Sequence, residues 1–146
     1  MDRHLATKVL LVDDEEAFVQ LLARRLATRG MKVAAVTCGE EAVAMVDKRI
    51  FDVAVIDLSM PGIDGIETLK QIKAKKPEIE VLMLTGHATV AGGIEAMKQG
   101  ARDFLQKPVE LEELLEKIKT ARQSRLTALH RKADAEMQEI LKRKSW

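Results

Sequence analysis

Five short apolar runs punctuate the chain, at residues 8–12, 32–36, 52–56, 81–84 and 103–105. They are continuously apolar rather than alternating, the pattern of strands covered on both faces. The segments between them follow the helical period. In the first, Phe18, Leu21, Leu22 and Leu26 make an apolar stripe that only Arg25 interrupts. Gly30, Pro77 and Gly100 supply the stops after the first, third and fourth of these segments. Strand and helix alternate five times, which predicts a doubly wound α/β domain: a parallel sheet, right-handed crossovers and helices on both faces.

The last helical segment breaks the rhythm. From Glu110 the period runs on towards Lys144 without Gly or Pro, and Leu126, Leu129, Ala133, Met137, Ile140 and Leu141 form a stripe. A five-element domain has no need of a final helix of over 30 residues, about 45 Å long. Its extra turns must find a partner or fray. We therefore expect a globular body over 1–122 and a helical extension over 123–146.

Composition narrows the function classes. A chain of 146 residues and 16.3 kDa suits one domain with an appendage and can bury a core without metal or disulfide. With 47% hydrophobic and 32% charged residues it fits neither a disordered polymer nor a membrane-spanning protein. Cys38 is the lone cysteine, so no internal disulfide forms. The opening Met1-Asp2-Arg3-His4 has no apolar signal core, so a cytoplasmic protein is expected. Aromatics are only 3%, which argues against stacking platforms for nucleic acid. Charge is uneven: residues 1–121 hold 17 basic against 20 acidic side chains, and 122–146 hold 7 against 3. An acidic body carries a basic tail.

The candidate chemistry sits where the apolar runs end. Asp13-Asp14 follow the first, Asp57 the third, Thr85-Gly86 the fourth and Lys107-Pro108 the fifth. In open parallel α/β sheets, ligands bind at the carboxyl ends of the strands. Three carboxylates there raise one another's pKa and strain the fold. Hard carboxylate oxygens suit Mg²⁺, which would relieve the repulsion. A lone Asp after a strand is commonly a helix cap; the whole set, each member at its own strand end, is not.

These residues, with Asp57-Leu58-Ser59-Met60-Pro61-Gly62-Ile63-Asp64-Gly65 and Phe104 ahead of Lys107-Pro108, resemble the receiver domain of two-component response regulators over roughly residues 6–122. The resemblance implies a flavodoxin-like fold with strand order 2-1-3-4-5. It further implies that Asp57 accepts a phosphoryl group from a phosphohistidine of a sensor histidine kinase or phosphotransfer protein. Asp13 (through water), Asp14, Asp57 and the Ser59 carbonyl would approach Mg²⁺, while Thr85 and Lys107 would bind phosphoryl oxygens. Thr85 and Phe104 would form the switch, the alternative for Phe104 being a fixed core residue, and Pro108 resembles the family's cis-proline, aiming Lys107 into the pocket. Ser59 and His87 stand at positions that in this family flank the phosphoryl group and tune its lifetime; the alternative for His87 is a solvated helix-start residue. Such a protein catalyses its own phosphorylation and dephosphorylation without being a conventional turnover enzyme.

Competing phosphate chemistries fit less well. Neither G-x-x-x-x-G-K-[ST] nor G-x-G-x-x-G is present. Asp13-Asp14-Glu15 superficially resembles the haloacid-dehalogenase phosphatases, but Glu15 stands where those enzymes place a second Asp. No helix-turn-helix, ATPase or cyclase domain is legible in the residues after the receiver-like segment, so no built-in effector is expected from them. The Leu126–Leu141 stripe offers a seam for a homodimer, although Glu136 falls on it. The alternative is a receiver fragment of a longer transcriptional regulator. Binding of nucleic acid through Lys142-Arg143-Lys144, or insertion into a membrane, is not expected.

Overall fold

The computed structural model describes residues 6–60, 62–86 and 90–144. Ten elements alternate: β1 (Lys8–Val12), α1 (Glu16–Thr28), β2 (Lys32–Val36), α2 (Gly39–Lys48), β3 (Val53–Asp57), α3 (Gly65–Lys75), β4 (Glu80–Thr85), α4 (Val90–Lys98), β5 (Asp103–Gln106) and α5 (Leu111–Arg143). The strands form one parallel sheet in the order β2-β1-β3-β4-β5. This is the doubly wound, flavodoxin-like arrangement expected from the sequence.

Alternation within each strand divides the core between the two faces. Leu10, Val12, Ala54, Ile56 and Met83 point to one side and pack with Val46, Leu69, Ile72 and Ala96 of α2, α3 and α4. Val9, Leu11, Val53, Val55, Leu82 and Leu84 point to the other, against Val19, Leu22 and Leu26 of α1 and Leu114, Ile118 and Ala121 of α5.

Two expectations from the sequence need correction. Of the stripe expected on α1, Leu22 and Leu26 are buried and Phe18 packs against the same core, whereas Leu21 is 48% exposed and Val19, outside that stripe, is buried in its place. Apolar residues occupy both sides of this helix, so spacing alone sets the inner face off by the exchange of Leu21 for Val19. Nor are all five strands covered on both sides. Of β5 only Leu105 is buried, and β2 begins exposed. Both are edge strands in this order, so each lacks a strand neighbour on one side.

The long final helix forms as one piece of 33 residues. Its last buried residue is Arg125. Arg125 donates from Nη1 to Asp52 Oδ1 at 2.9 Å, Arg122 Nε lies 3.9 Å from Asp52 Oδ2, and the Lys8 amide donates to that second oxygen at 2.9 Å. A carboxylate just before β3 thus pins the helix across the amino ends of the central strands. Beyond Leu129, residues 130–144 are exposed.

Breaking a buried ion pair leaves an uncompensated charge and typically costs about 3–5 kcal/mol. Asp52→Asn is therefore expected to lower the unfolding free energy by about 3 kcal/mol in urea titration, and Arg131→Ala, on the exposed stretch, by less than about 0.5 kcal/mol.

Candidate functional site at the carboxyl edge of the sheet

Main-chain hydrogen bonds that continue the strand ladders bring the site residues together. Asp57 and Thr85 are the last residues of β3 and β4 rather than the first residues past them. Beyond the strands, the amides of Asp13, Leu58 and Lys107 donate to the carbonyls of Val36, Leu84 and Thr85 at 3.2, 2.8 and 2.8 Å. The Lys107–Pro108 peptide is cis. The loop leaving Asp57 is held as closely. Gly65 donates to the Leu58 carbonyl at 3.1 Å, and a Cβ at Gly65 would stand 2.3 Å from the Asp57 carbonyl oxygen. Only glycine lets α3 start this near β3. Asp64 caps the helix by accepting from the Glu67 amide at 2.9 Å.

Asp13, Asp14 and Asp57 converge, each offering a carboxylate oxygen, with these oxygens all within 4.8 Å of one another. Asp13 and Asp57 are buried and Asp14 is exposed, so the cluster opens to solvent on one side. Burial pushes the Asp57 carboxyl up to about 6 from an ordinary 3.8, and the Asp13 charge adds to the rise. Lys107 and the Ser59 amide, which donates to Asp57 Oδ1 at 3.3 Å, pull in the opposite sense.

Lys107 does not sit on Asp57. Its ammonium lies 2.6 Å from Asp13 Oδ2, 3.1 Å from Glu15 Oε1 and 3.9 Å from Asp57 Oδ2. The Phe18 ring centroid is 4.5 Å away. Burial would lower the pKa of this ammonium, but its bonds to Asp13 and Glu15 outweigh burial and hold it above 10.5. The sequence does not mark Glu15 or Phe18 as partners of Lys107. The available signal was helical: both lie at the start of α1, three residues apart, which puts them on one face.

Thr85 is buried beside this cluster at the end of β4. Phe104, on the neighbouring strand, is 40% exposed and so is not a fixed core residue. Its ring lies against Gly93 of α4, within about 3.2 Å of where a Cβ would stand. Ser59 is exposed. His87 lies outside the described residues.

The donor set fits a small hard cation. Three carboxylate oxygens, no nitrogen or sulfur, and an open side for water are what Mg²⁺ prefers. The strained carboxylate gives this a measurable consequence. Because the folded-state pKa of Asp57 is raised, the stability its protonation lends is fully present below about 3.8 and is lost as pH rises through about 6. In metal-free buffer Asp57→Asn should therefore raise the thermal midpoint at pH 8 by at least about 3 °C. That gain should shrink towards pH 4 and narrow when millimolar Mg²⁺ is added to the parent protein. Calorimetric scans over this range check it.

Comparison with known proteins agrees with the geometry. The response regulator receiver domain family matches residues 9–119. The chain is 38% identical over 113 residues to the transcriptional regulatory protein ZraR of Salmonella typhimurium, covering 77% of this chain and 26% of that protein. It is 37% identical over 123 residues to the C4-dicarboxylate transport transcriptional regulatory protein DctD of Pseudomonas aeruginosa, covering 84% and 27%. The chain thus spans about a quarter of the length of these relatives. Among solved structures, a CheY-like receiver domain protein from Methanospirillum hungatei superposes with a TM-score of 0.81 at 27% identity, covering 85% of this chain and 99% of that one. NtrX from Brucella abortus, solved in complex with ADP, gives 0.80 at 28% identity, covering 89% and 30%. Receiver domains generally bind Mg²⁺ and interact with sensor kinases or phosphotransfer partners. No helix among the described residues is long and apolar enough to cross a membrane. A parallel sheet in this order, with acids, a threonine and a lysine at its carboxyl edge, belongs to a response regulator receiver domain, and this chain is a member of that family.

Proposed function

We propose that Asp57 is the phosphoacceptor of a two-component signalling switch that acts in the cytoplasm, taking its phosphoryl group from a phosphohistidine of a sensor kinase or phosphotransfer protein. The observation that carries this reading is the state of Asp57. Its residue is 5% exposed, its carboxylate is crowded by two other acids, and Lys107 comes no nearer to it than 3.9 Å. A carboxylate held this way, beside a solvent-open edge, is ready to be used as a nucleophile.

In the transfer, an Asp57 oxygen forms a bond to phosphorus while the phosphorus–nitrogen bond of the donor breaks and the imidazole leaves with its electron pair. Such a reaction needs positioning and charge neutralisation more than acid–base help. Mg²⁺, held by Asp13 (through water), Asp14, Asp57 and the Ser59 carbonyl, would supply much of that neutralisation. The Ser59 amide fixes the carboxylate by bonding Oδ1. Lys107 is one short movement from the acceptor and brings a compact charge to the phosphoryl oxygens. The Thr85 hydroxyl, at the end of the adjacent strand, would bond a phosphoryl oxygen as the added charge arrives. Phe104 then turns in from its exposed seat against Gly93 as Thr85 vacates space, changing the surface seen by a partner.

The tail supports a second element of the reading, pairing with another copy. Leu126 and Met137 lie eleven residues apart, as do Leu129 and Ile140. This spacing keeps an apolar stripe on one side of a nearly straight helix. Met137, Ile140 and Leu141 are 54, 42 and 55% exposed. The same stripe would connect the domain to an output module in a regulator as long as ZraR or DctD.

Incubation with Mg²⁺ and a small acyl phosphate should add one phosphoryl mass to the intact protein and none to Asp57→Asn. Lys107→Arg should keep its label yet lose most of the partner response, because a planar guanidinium fits the resting and phosphorylated geometries unequally. Label retained by Asp57→Asn would sink the assignment. For the tail, light scattering should show a dimer that Met137→Asp with Ile140→Asp converts to monomer while the melting temperature of the body stays within about 2 °C.

A further inference from the structure

Glu15 faces Lys107 from the start of α1, and its position is unusual for its residue type. It stands at the N-cap, where Asn, Asp, Ser or Thr normally accept from the first helical amides. The Glu15 carboxylate makes no such bond. It reaches instead across to the end of β5 and accepts from Lys107 Nζ at 3.1 Å. An ammonium has three protons to donate. One goes to Asp13 at 2.6 Å and one to Glu15, while Asp57 Oδ2, at 3.9 Å, is beyond hydrogen-bonding distance. The Phe18 ring flanks the same ammonium. The Lys107 side chain is only 15% exposed, so these neighbours fix where its charge rests.

The geometry points to Glu15 as a positioning residue that parks the Lys107 ammonium on the α1 side of the site, off Asp57, and so keeps the carboxylate cluster open for a cation. The inference deepens the role proposed above for Lys107 and rests on it. Of the three acids around the ammonium, Asp13 and Asp57 belong to the cluster suited to a cation, and Glu15 does not. With Glu15 in place, a cation can draw on Asp13 and Asp57 while the lysine keeps a charged partner outside the cluster. Without it, both remaining partners of the lysine lie inside the cluster. The ammonium then settles where the cation should go, and displacing it strands a largely buried charge. Glu15 itself is an inexpensive anchor, because its side chain is 66% exposed and stays solvated.

The test is Mg²⁺ binding by titration calorimetry on the full chain, with no phosphodonor present. Glu15→Gln is compared with Glu16→Gln, which removes the same charge from an exposed neighbour in the first turn of α1. Each is measured alone and with Lys107→Met. Parking predicts that Glu15→Gln weakens binding about three- to tenfold and Glu16→Gln by less than about twofold. With Lys107→Met in place, the two should become equal. In metal-free protein, the Lys107 side-chain carbon resonances should also move in Glu15→Gln and stay put in Glu16→Gln. Equal losses from the two variants, a Glu15→Gln loss undiminished by Lys107→Met, or an unmoved Lys107 signal would overturn the proposal. If the parent protein takes up no Mg²⁺, the cation reading fails, and the resonance comparison still decides whether Glu15 holds the lysine.

Discussion

Everything at the carboxyl edge of this sheet follows from the mutual repulsion of Asp13, Asp14 and Asp57. Folding does not scatter these charges; the parallel ladder forces them together, because β1 and β3 are neighbours in register and both lead into acids. The chain answers only in part. Lys107 neutralises Asp13 closely and Asp57 distantly, and the Ser59 amide serves one Asp57 oxygen. Burial and the unanswered part of this repulsion raise the Asp57 pKa to about 6. A protein under selection for stability alone would have little reason to keep it.

The surrounding scaffold is built to hold that arrangement still. The strands bearing Asp57 and Thr85 are flanked by others on both sides, and main-chain bonds from their ends run onward into the loops. Gly65 lets the next helix begin against the Asp57 carbonyl, and Asp64 caps that helix. Rigid elements therefore carry the acids. The parts placed to respond are side chains at the rim: a lysine with three acidic neighbours, and an aromatic ring lying outside the core.

Much of this was legible in the sequence, for identifiable reasons. Continuous apolar runs pointed to the parallel sheet, and the residues at their ends to Asp13, Asp14, Asp57, Thr85 and Lys107, because backbone geometry fixes where a strand delivers its last residue. What stayed hidden depends on which side chains meet across the fold. On α1 the period alone does not choose between Leu21 and Val19, both apolar, and it is Val19 that joins Leu22 and Leu26 in the core. The grip of Glu15 and Phe18 on Lys107 joins residues about 90 positions apart. So does the clasp of Arg125 on Asp52, across 73 positions. No local period encodes either pairing.

Asp52 and Asp57 make the contrast most directly. They bracket the same apolar run, in the sequence Asp-Val-Ala-Val-Ile-Asp, and both are buried. Asp52 receives a guanidinium hydrogen bond, a second guanidinium nearby and a backbone amide, so its charge is matched by groups the chain itself supplies. Asp57 receives one amide, shares with Asp13 and Glu15 an ammonium that comes no nearer than 3.9 Å, and faces two further carboxylates, so its charge is matched only in part. Residue type and burial are nearly the same; the difference lies in the partners. A buried carboxylate fully served from within is a clamp, and here it ties α5 to the body. One left underserved at a solvent-open edge must draw its remaining partners from solution, and that is the physical condition for a site that responds to a cation and a phosphoryl group.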